Sequence, residues 1–516
     1  SSFGFGGSNF HLTLEEVTGT THRASRIRCF SHELVLLSED SPGALVGVCR
    51  DLAGRSSNGD RLQWLAWKTQ TEFRADKTAR LALVAKDERD LVSKLEAAAK
   101  QIESEPGAAF SAPTGMHYGF GPSQGGIAFL FPGQGSQYLD MGGQLAMNFS
   151  ACMRAWEDAT QIDPNESLRL DQVVFPPTAF DEQSKQEQQA LLTRTEWAQP
   201  AIGCTSLSML RLLRTMGLEP DLVGGHSFGE VTALYASGAL GPEDFLRVAR
   251  KRGEMMARAA RTPGAMTAVS HPVGEMQTAL NRWRSPVVIA NINAPEQVVL
   301  SGRVADIEAV EAEMSQAGIR FKRLPVATAF HSPVVADSSR PFGRYLSHIA
   351  FEQPTIPVFA NTTGRVHGDG GPASQWVERT RESLAAQISR PVRFVEMIEN
   401  MADAGIHTFL EVGPGSVLTG LVGRILADRP HAAISMDRKG RAGVLSLWNA
   451  LGRLSAHGIR MDLSALWDEY AVPIDPDELA VPRMAVNLGG ANYGRPYPPA
   501  GGVADLPDAN RVDAEL

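Results

Sequence analysis

Leu222-Val223-Gly224-Gly225-His226-Ser227-Phe228-Gly229-Glu230 is the stretch that decides the fold. An apolar run enters two glycines, a serine stands between Gly225 and Gly229, and an alanine-rich segment follows as far as Gly238. A strand, a sharp turn and a helix in that order make the nucleophile elbow, Gly-x-Ser-x-Gly. The turn pushes one side chain outward, and only glycine fits its crowded flanks. The serine then sits at a helix N-terminus, where backbone N–H groups and the helix dipole favour developing negative charge. A short match carries little by itself. The strand before it, the helix after it and Glu230 in the first turn give it weight.

Two further apolar runs end in similar turns. Ile127-Ala128-Phe129-Leu130-Phe131 stops at Pro132-Gly133, and His407-Thr408-Phe409-Leu410-Glu411-Val412 ends at Gly413-Pro414-Gly415. Uninterrupted runs of this kind suit strands buried on both faces of a parallel sheet. Strands alternating with helices predict an α/β fold with a doubly wound, hydrolase-like large subdomain, whose site lies at the carboxyl ends of the strands. Between Gly264 and Ala327 the rhythm changes: strand 265–269, helix 273–283, strands 287–291 and 297–301, helix 304–317, strand 321–326. That β-α-β-β-α-β order predicts a small ferredoxin-like subdomain, inserted at 264–327 and roofing the site. Ahead of both, residues 26–125 predict a small α/β unit with strands at 33–38 and 81–85. Its helices are one opened by Ser41-Pro42 and one over 88–102. The Gly/Pro/Ser stretch from Gly119 to Gly126 marks its boundary. Helices are expected over 448–457 and 463–470, and a disordered tail over 501–516.

At 516 residues the chain is too long for one ordinary core, so about two to four folded units are expected. Hydrophobic residues make up 43% and charged residues 21%, the profile of a water-soluble globular protein. A net charge of -9 argues against non-specific binding to nucleic acid or to anionic membrane, since both require a cationic surface. No apolar run approaches the ~20 residues needed to cross a bilayer, and nothing reads as a secretory leader. The four cysteines are far apart and form no Cys-x-x-Cys pair. Neither a disulfide framework nor a zinc site is expected, and a reducing, cytoplasmic setting fits. Beginning at Ser1 rather than Met, the chain is expected to be a piece of a longer one.

Serine is a poor nucleophile at neutral pH and needs a base. Of the 12 histidines, His331 stands out in Ala329-Phe330-His331-Ser332-Pro333, just after the last strand of the inserted subdomain. That position returns it to the cleft where the two subdomains meet, although spacing alone leaves other histidines open. Pro132-Gly133-Gln134-Gly135-Ser136-Gln137 lacks the lysine of a phosphate-binding loop. Beside the Ser227 elbow its backbone would complete an oxyanion hole, with the N–H groups of Gln134 and Phe228 as donors.

Together these pieces resemble the acyltransferases of fatty-acid and polyketide synthesis, the malonyl-CoA:carrier-protein transacylase family. The resemblance covers roughly 126–435. It adds Gln199-Pro200-Ala201, Arg252-Gly253, Phe330-His331-Ser332 and Pro391-Val392-Arg393-Phe394 to the turns already quoted. It implies that Ser227 carries the acyl group and that His331 is the base, oriented by the backbone carbonyl of Gln387 in a Ser–His dyad. It implies that Arg252 binds the free carboxylate of malonate, a role invisible in the residues themselves, where Arg250, Lys251, Arg252 and Arg258 read as a solvated helix face. The substrates implied are a coenzyme A thioester (malonyl-CoA) and the phosphopantetheine thiol of an acyl carrier protein, with no bound cofactor and no metal. In this family the residues before the histidine track the extender unit: malonyl-selective members look like His-Ala-Phe-His and methylmalonyl-selective ones like Tyr-Ala-Ser-His. Thr328-Ala329-Phe330-His331 has the bulky Phe330 of the first group, whereas Thr328 departs from both and Phe228 is larger than the usual aliphatic residue.

The flanks extend the resemblance to a polyketide or polyunsaturated fatty-acid synthase. Residues 1–16 resemble the closing strand of a ketosynthase domain, 17–125 a ketosynthase-to-acyltransferase linker, and 436–500 a post-acyltransferase linker. An adjoining ketosynthase is therefore implied as a partner. Two other readings compete. One is a serine hydrolase, a thioesterase or a patatin-like enzyme whose aspartate would come from Asp369-Gly370-Gly371. The other is a non-catalytic scaffold fragment.

Overall fold

In the computed structural model the described residues are 2–3, 9–10, 25–55, 62–123, 125–160, 168–259, 263–326, 328–476 and 478. Residues 27–473 form one compact unit. The expected ketosynthase remnant lies outside the described residues except for two short strands, Ser2–Phe3 and Asn9–Phe10, which pair antiparallel. The expected 501–516 tail lies outside them altogether. No helix among the described residues is long and apolar enough to cross a membrane.

The first layer is an antiparallel sheet of β1 (Glu33–Glu39), β2 (Ala79–Ala85), β3 (Phe110–Ala112) and β4 (Met116–Phe120), in the order β1-β2-β4-β3. Ser41 caps α1 (Pro42–Arg55) by accepting the N–H of Ala44 at 3.2 Å. Two more helices follow, α2 (Leu62–Glu72) and α3 (Glu88–Ser104). Alternate side chains of a strand face opposite ways, and here both faces are apolar. Val35, Leu37, Leu81 and Leu83 pack with Leu45, Leu91 and Leu95 in one core. Leu34, Leu36, Ala82 and Val84 belong to the larger core that contains Phe129, Phe131 and Trp448.

The main sheet is parallel, in the order β13-β12-β5-β6. Its strands are β5 (Gly126–Phe131), β6 (Leu222–Gly225), β12 (Ile406–Glu411) and β13 (Ala432–Ser435). Val358 adds a parallel bridge to Val223 at the β6 edge. The inserted subdomain holds β7 (Gly264–Val269), α7 (Val273–Arg282), β8 (Val288–Ala294), β9 (Gln297–Arg303), α8 (Val304–Gln316) and β10 (Phe321–Arg323). Its strand order is β10-β7-β9-β8, with antiparallel neighbours throughout. The ferredoxin-like reading therefore holds. One strand from outside, β11 (Val392–Arg393), joins the edge of β8 in parallel.

Three expectations need correction. The last strand of the insert stops at Arg323 rather than 326, because Pro325 has no N–H to continue a ladder. Residues 463–470 form only a short 3-10 turn, Leu463–Leu466. The helix expected at 448–457 begins earlier, as α11 (Gly443–Ala456), and it is no free linker. It packs on the first sheet: Trp448 Nε1 donates to the carbonyl of His32 at 3.0 Å, and Arg80 Nε donates to that of Ala456 at 3.1 Å. Segments before and after the main sheet thus share one core, because β1 and β2 are apolar on both faces and need a second cover.

Candidate active site

The carboxyl ends of β5, β6 and β12 bring the three glycine turns together. At the elbow Ser227 has φ +52°, a conformation uncommon for a residue with a side chain. The flanking glycines are required sterically. A Cβ on Gly225 would collide with the backbone of Gly229, and one on Gly229 with the carbonyl of Phe131. Asn361 holds the turn from beneath: its Oδ1 accepts the Ser227 N–H at 2.6 Å and its Nδ2 donates to the carbonyl of Gly225 at 2.6 Å.

His331 reaches this serine from the far side of the cleft. The distance from Ser227 Oγ to His331 Nε2 is 2.8 Å. His331 also has positive φ, +55°, and only four non-glycine residues do so among the described residues. Its Nδ1 lies 2.9 Å from the carbonyl of Gln387 and 3.1 Å from that of Arg390. Carbonyl oxygens only accept, so Nδ1 carries the proton and Nε2 of the neutral ring is the acceptor that faces Ser227. Burial, then the charge of Arg252, pushes the imidazole pKa down to about 3, against the opposing pull of the Gln387 carbonyl. The ring is thus neutral and ready to take a proton across the physiological range.

Arg252 lies wholly inside the protein. Two glycine and proline features place it there. Pro200 in the helix Thr195–Thr215 (α4) has no N–H to give the carbonyl of Glu196, which instead accepts Arg250 Nη1 at 3.0 Å. Gly253 lets the helix Pro242–Ala259 (α6) touch α4, since a Cβ there would lie 2.5 Å from the carbonyl oxygen of Thr195. Arg252 then donates to Gln199 Oε1 at 2.9 Å and to Gln387 Oε1 at 2.7 Å, with Nη2 3.5 Å from Ser227 Oγ. Its Nε is buried with no partner, and no carboxylate pairs with it among the described residues. Burial lowers its pKa to about 10, with Glu230 pulling the other way, so the guanidinium stays charged.

Gln387 joins these parts. Besides the carbonyl that positions His331, its side-chain amide donates to the carbonyl of Ser227 at 2.7 Å and to Glu230 Oε2 at 2.9 Å. Glu230, fully buried, also accepts from the N–H of Asn361 at 2.8 Å and from His367 Nε2 at 2.9 Å. Asn361, Gln199, His367 and the Gln387 side chain were not assigned roles from sequence. Asn361 was the most accessible of them, as the polar residue that ends the apolar run Val358-Phe359-Ala360.

The N–H groups of Gln134 and Phe228 make no hydrogen bond within the protein among the described residues. The cleft lined by Gln134 and Ser227 encloses about 250 Å3, with Met256, Met266, Leu324, Val326 and Phe330 on its apolar wall. Of the two residues expected to shape selectivity, Phe330 lines it and Thr328 does not. Thr328 is buried behind the wall, and the Phe228 ring points into the core, against Gly203 of α4. In an elbow the residue after the serine turns inward as the serine turns out. Asp369 of the rival hydrolase reading is solvent-exposed and faces Arg365, 3.9 Å away, while Ser227 already has His331.

Residues 128–446 match the family model described as the acyl transferase domain. The chain belongs to that family. It is 32% identical to the phenolphthiocerol synthesis polyketide synthase type I of Mycobacterium marinum over 99% of this chain and 24% of that protein. To a polyunsaturated fatty acid synthase of a Thraustochytrium strain it is 29% identical, over 91% of this chain and 17% of that one. The chain therefore spans about a quarter or less of these synthases. Among solved structures, it resembles the acyltransferase domain from the second module of the salinomycin polyketide synthase at 28% identity and TM-score 0.65, covering 84% of this chain and 95% of that one. The malonyl CoA-acyl carrier protein transacylase of Clostridium perfringens matches at 28% identity and TM-score 0.56, over 64% of this acyltransferase and 97% of that chain.

Proposed function

We propose that this acyltransferase moves a malonyl-type unit from a coenzyme A thioester to the phosphopantetheine thiol of an acyl carrier protein, within a longer synthase that includes a ketosynthase. The observation that carries the reading is Arg252. A buried, charged guanidinium with an unpartnered Nε and no carboxylate of its own lies 3.5 Å from the Ser227 hydroxyl. A substrate carboxylate would supply the missing anion through parallel hydrogen bonds. A neutral acyl chain would leave the cation unpaired, and a lipid hydrolase has no use for it.

The geometry supports a two-step, ping-pong transfer. His331 Nε2 takes the Ser227 proton as Oγ attacks the thioester carbonyl, and the Gln134 and Phe228 N–H groups hold the oxyanion. The intermediate collapses, the C–S bond breaks, and the sulfur leaves with the proton returned by His331. The acyl-serine ester waits with its carboxylate on Arg252. The carrier thiol then gives its proton to His331 and attacks the ester, which restores the Ser227 hydroxyl. The four cysteines are free thiols, in keeping with a cytoplasmic setting. Incubation with malonyl-CoA should add one malonyl group to the intact mass, and Ser227→Ala should show none. If the parent chain neither gains the adduct nor consumes malonyl-CoA, the scaffold reading replaces this one.

Phe330 supports malonyl over methylmalonyl, because its ring forms part of the cleft wall. One methyl in an apolar pocket is worth about 10- to 200-fold in selectivity. Phe330→Ser should shift the methylmalonyl-to-malonyl ratio upward by about tenfold or more in a competition read by mass. An unchanged ratio would remove Phe330 from the specificity determinants.

A further inference from the structure

A second cavity, of about 400 Å3, lies where the first sheet meets the amino ends of β12 and β13 and the end of α11. Ser227 is at the opposite, carboxyl end of the same parallel sheet, so this cavity belongs to no part of the transfer machinery. Its lining includes Arg80, Arg453, His117, His407, His431 and His457 and, among the described residues, no aspartate or glutamate. In a chain of net charge -9 such a lining is out of character.

Among the described residues neither guanidinium has a carboxylate counter-charge. Arg80 is buried and donates from Nε to the carbonyl of Ala456 and from Nη1 to that of Lys77. Arg453 makes no side-chain hydrogen bond among the described residues, and its Nε is fully shielded from solvent. Burial alone lowers the Arg453 pKa, with no neighbouring carboxylate raising it. His457 is pushed down by burial and then by the charges of Arg453 and Arg80, as expected where nothing neutralises them. Shielding a cation without a partner is costly, and proteins normally pair it.

The histidines add polar groups without adding an anion. His117 is satisfied by Ser111 Oγ at 2.8 Å and Asn449 Oδ1 at 3.3 Å. His407 and His431 each give Nδ1–H to a carbonyl, of Gly405 at 3.1 Å and Arg429 at 2.9 Å, which leaves Nε2 free of protein partners among the described residues. Guanidinium forks with flanking imidazoles suit a tetrahedral oxyanion. The volume falls in the range of small-molecule sites rather than that of one ion.

We propose that this cavity binds a diphosphate-type anion, either inorganic pyrophosphate or the diphosphate of a small organic molecule, with Arg453 as its principal partner. Calorimetric titration of the whole chain, at constant ionic strength, with pyrophosphate and separately with adenosine diphosphate should show saturable binding at one site. Tighter binding of the nucleotide assigns the ligand to the organic class, and equal binding to the inorganic one. Arg453→Gln should weaken both by at least about tenfold, the usual effect of losing a charged hydrogen-bond donor. The same variant should load malonyl at the parent rate and melt no lower than the parent in anion-free buffer, because it removes an unpaired charge. Absence of saturable binding by either probe overturns the proposal. So does binding that survives Arg453→Gln, which would place the anion elsewhere, for instance on Arg252. A marked loss of melting temperature in anion-free buffer would assign Arg453 to the scaffold instead.

Discussion

His331→Ala should lower acyl loading from malonyl-CoA by on the order of 10⁵-fold, the effect of deleting the base from a nucleophile–base pair that acts as a unit. The expected size rests on how little else near Ser227 can take a proton. Arg252 is charged, and the Glu230 carboxylate is occupied by three donors on the far side of the elbow. The pH profile tests the same geometry. With the imidazole pKa held near 3, kcat/KM for loading should stay level from pH 8 down through 6.5, with no inflection at the ordinary histidine value. Since Arg252 is the second cause of that depression, Arg252→Ala should move the inflection back toward neutrality. The linkage has a definite sign. The folded pKa lies below the unfolded one of ~6.5, so between those values the unfolded chain binds more protons. His331 therefore costs the fold stability as pH falls through that window, and costs nothing above it. An inflection near 6.5 in the parent enzyme would show that the ring is not desolvated as described.

Arg252→Ala should cut malonyl loading by on the order of 10⁴-fold while acetyl loading changes by about tenfold or less, or rises. In the parent, an acetyl group leaves a buried guanidinium facing a methyl; in the variant that penalty is gone. Arg252→Lys should fall between, because a lysine keeps the charge and loses the fork that donates to Gln199, Gln387 and a carboxylate together. Intact-mass kinetics with both thioesters read the two rates side by side. Equal losses for malonyl and acetyl would mean that Arg252 supports the Gln387 and Ser227 scaffold rather than the substrate carboxylate.

Local patterns made much of this legible in advance. The elbow, the two other glycine turns and the β-α-β-β-α-β order all lie within short windows, where periodicity and turn chemistry act. His331 was visible because it follows the last strand of the insert, and the roofing of one subdomain by the other predicted its return to the cleft. The setting of Thr328 was not legible, for the opposite reason. Which way a side chain faces in an irregular segment depends on what packs against it, and the run from Leu324 to His331 has no period from which to read it. The 463–470 helix failed similarly. Apolar spacing was present, but Leu463, Leu466, Trp467 and Tyr470 are buried by packing against distant segments rather than along one helical face.

By itself the sequence determined the strand–turn–helix that exposes Ser227, because glycine at 225 and 229 and apolar runs before and after are local requirements of that turn. It also determined the family, through several motifs in order. Tertiary structure decided that Arg252, alone among the cations of its helix, is turned wholly inward. It decided that Gln387 serves His331 through its backbone and Arg252 through its side chain. It decided as well that the segments on either side of the main sheet share one core. Each of these depends on contacts between residues more than 50 positions apart, such as Arg252 with Gln199 or Trp448 with His32. Chain spacing carries no record of such contacts, since they exist only once the elements have packed.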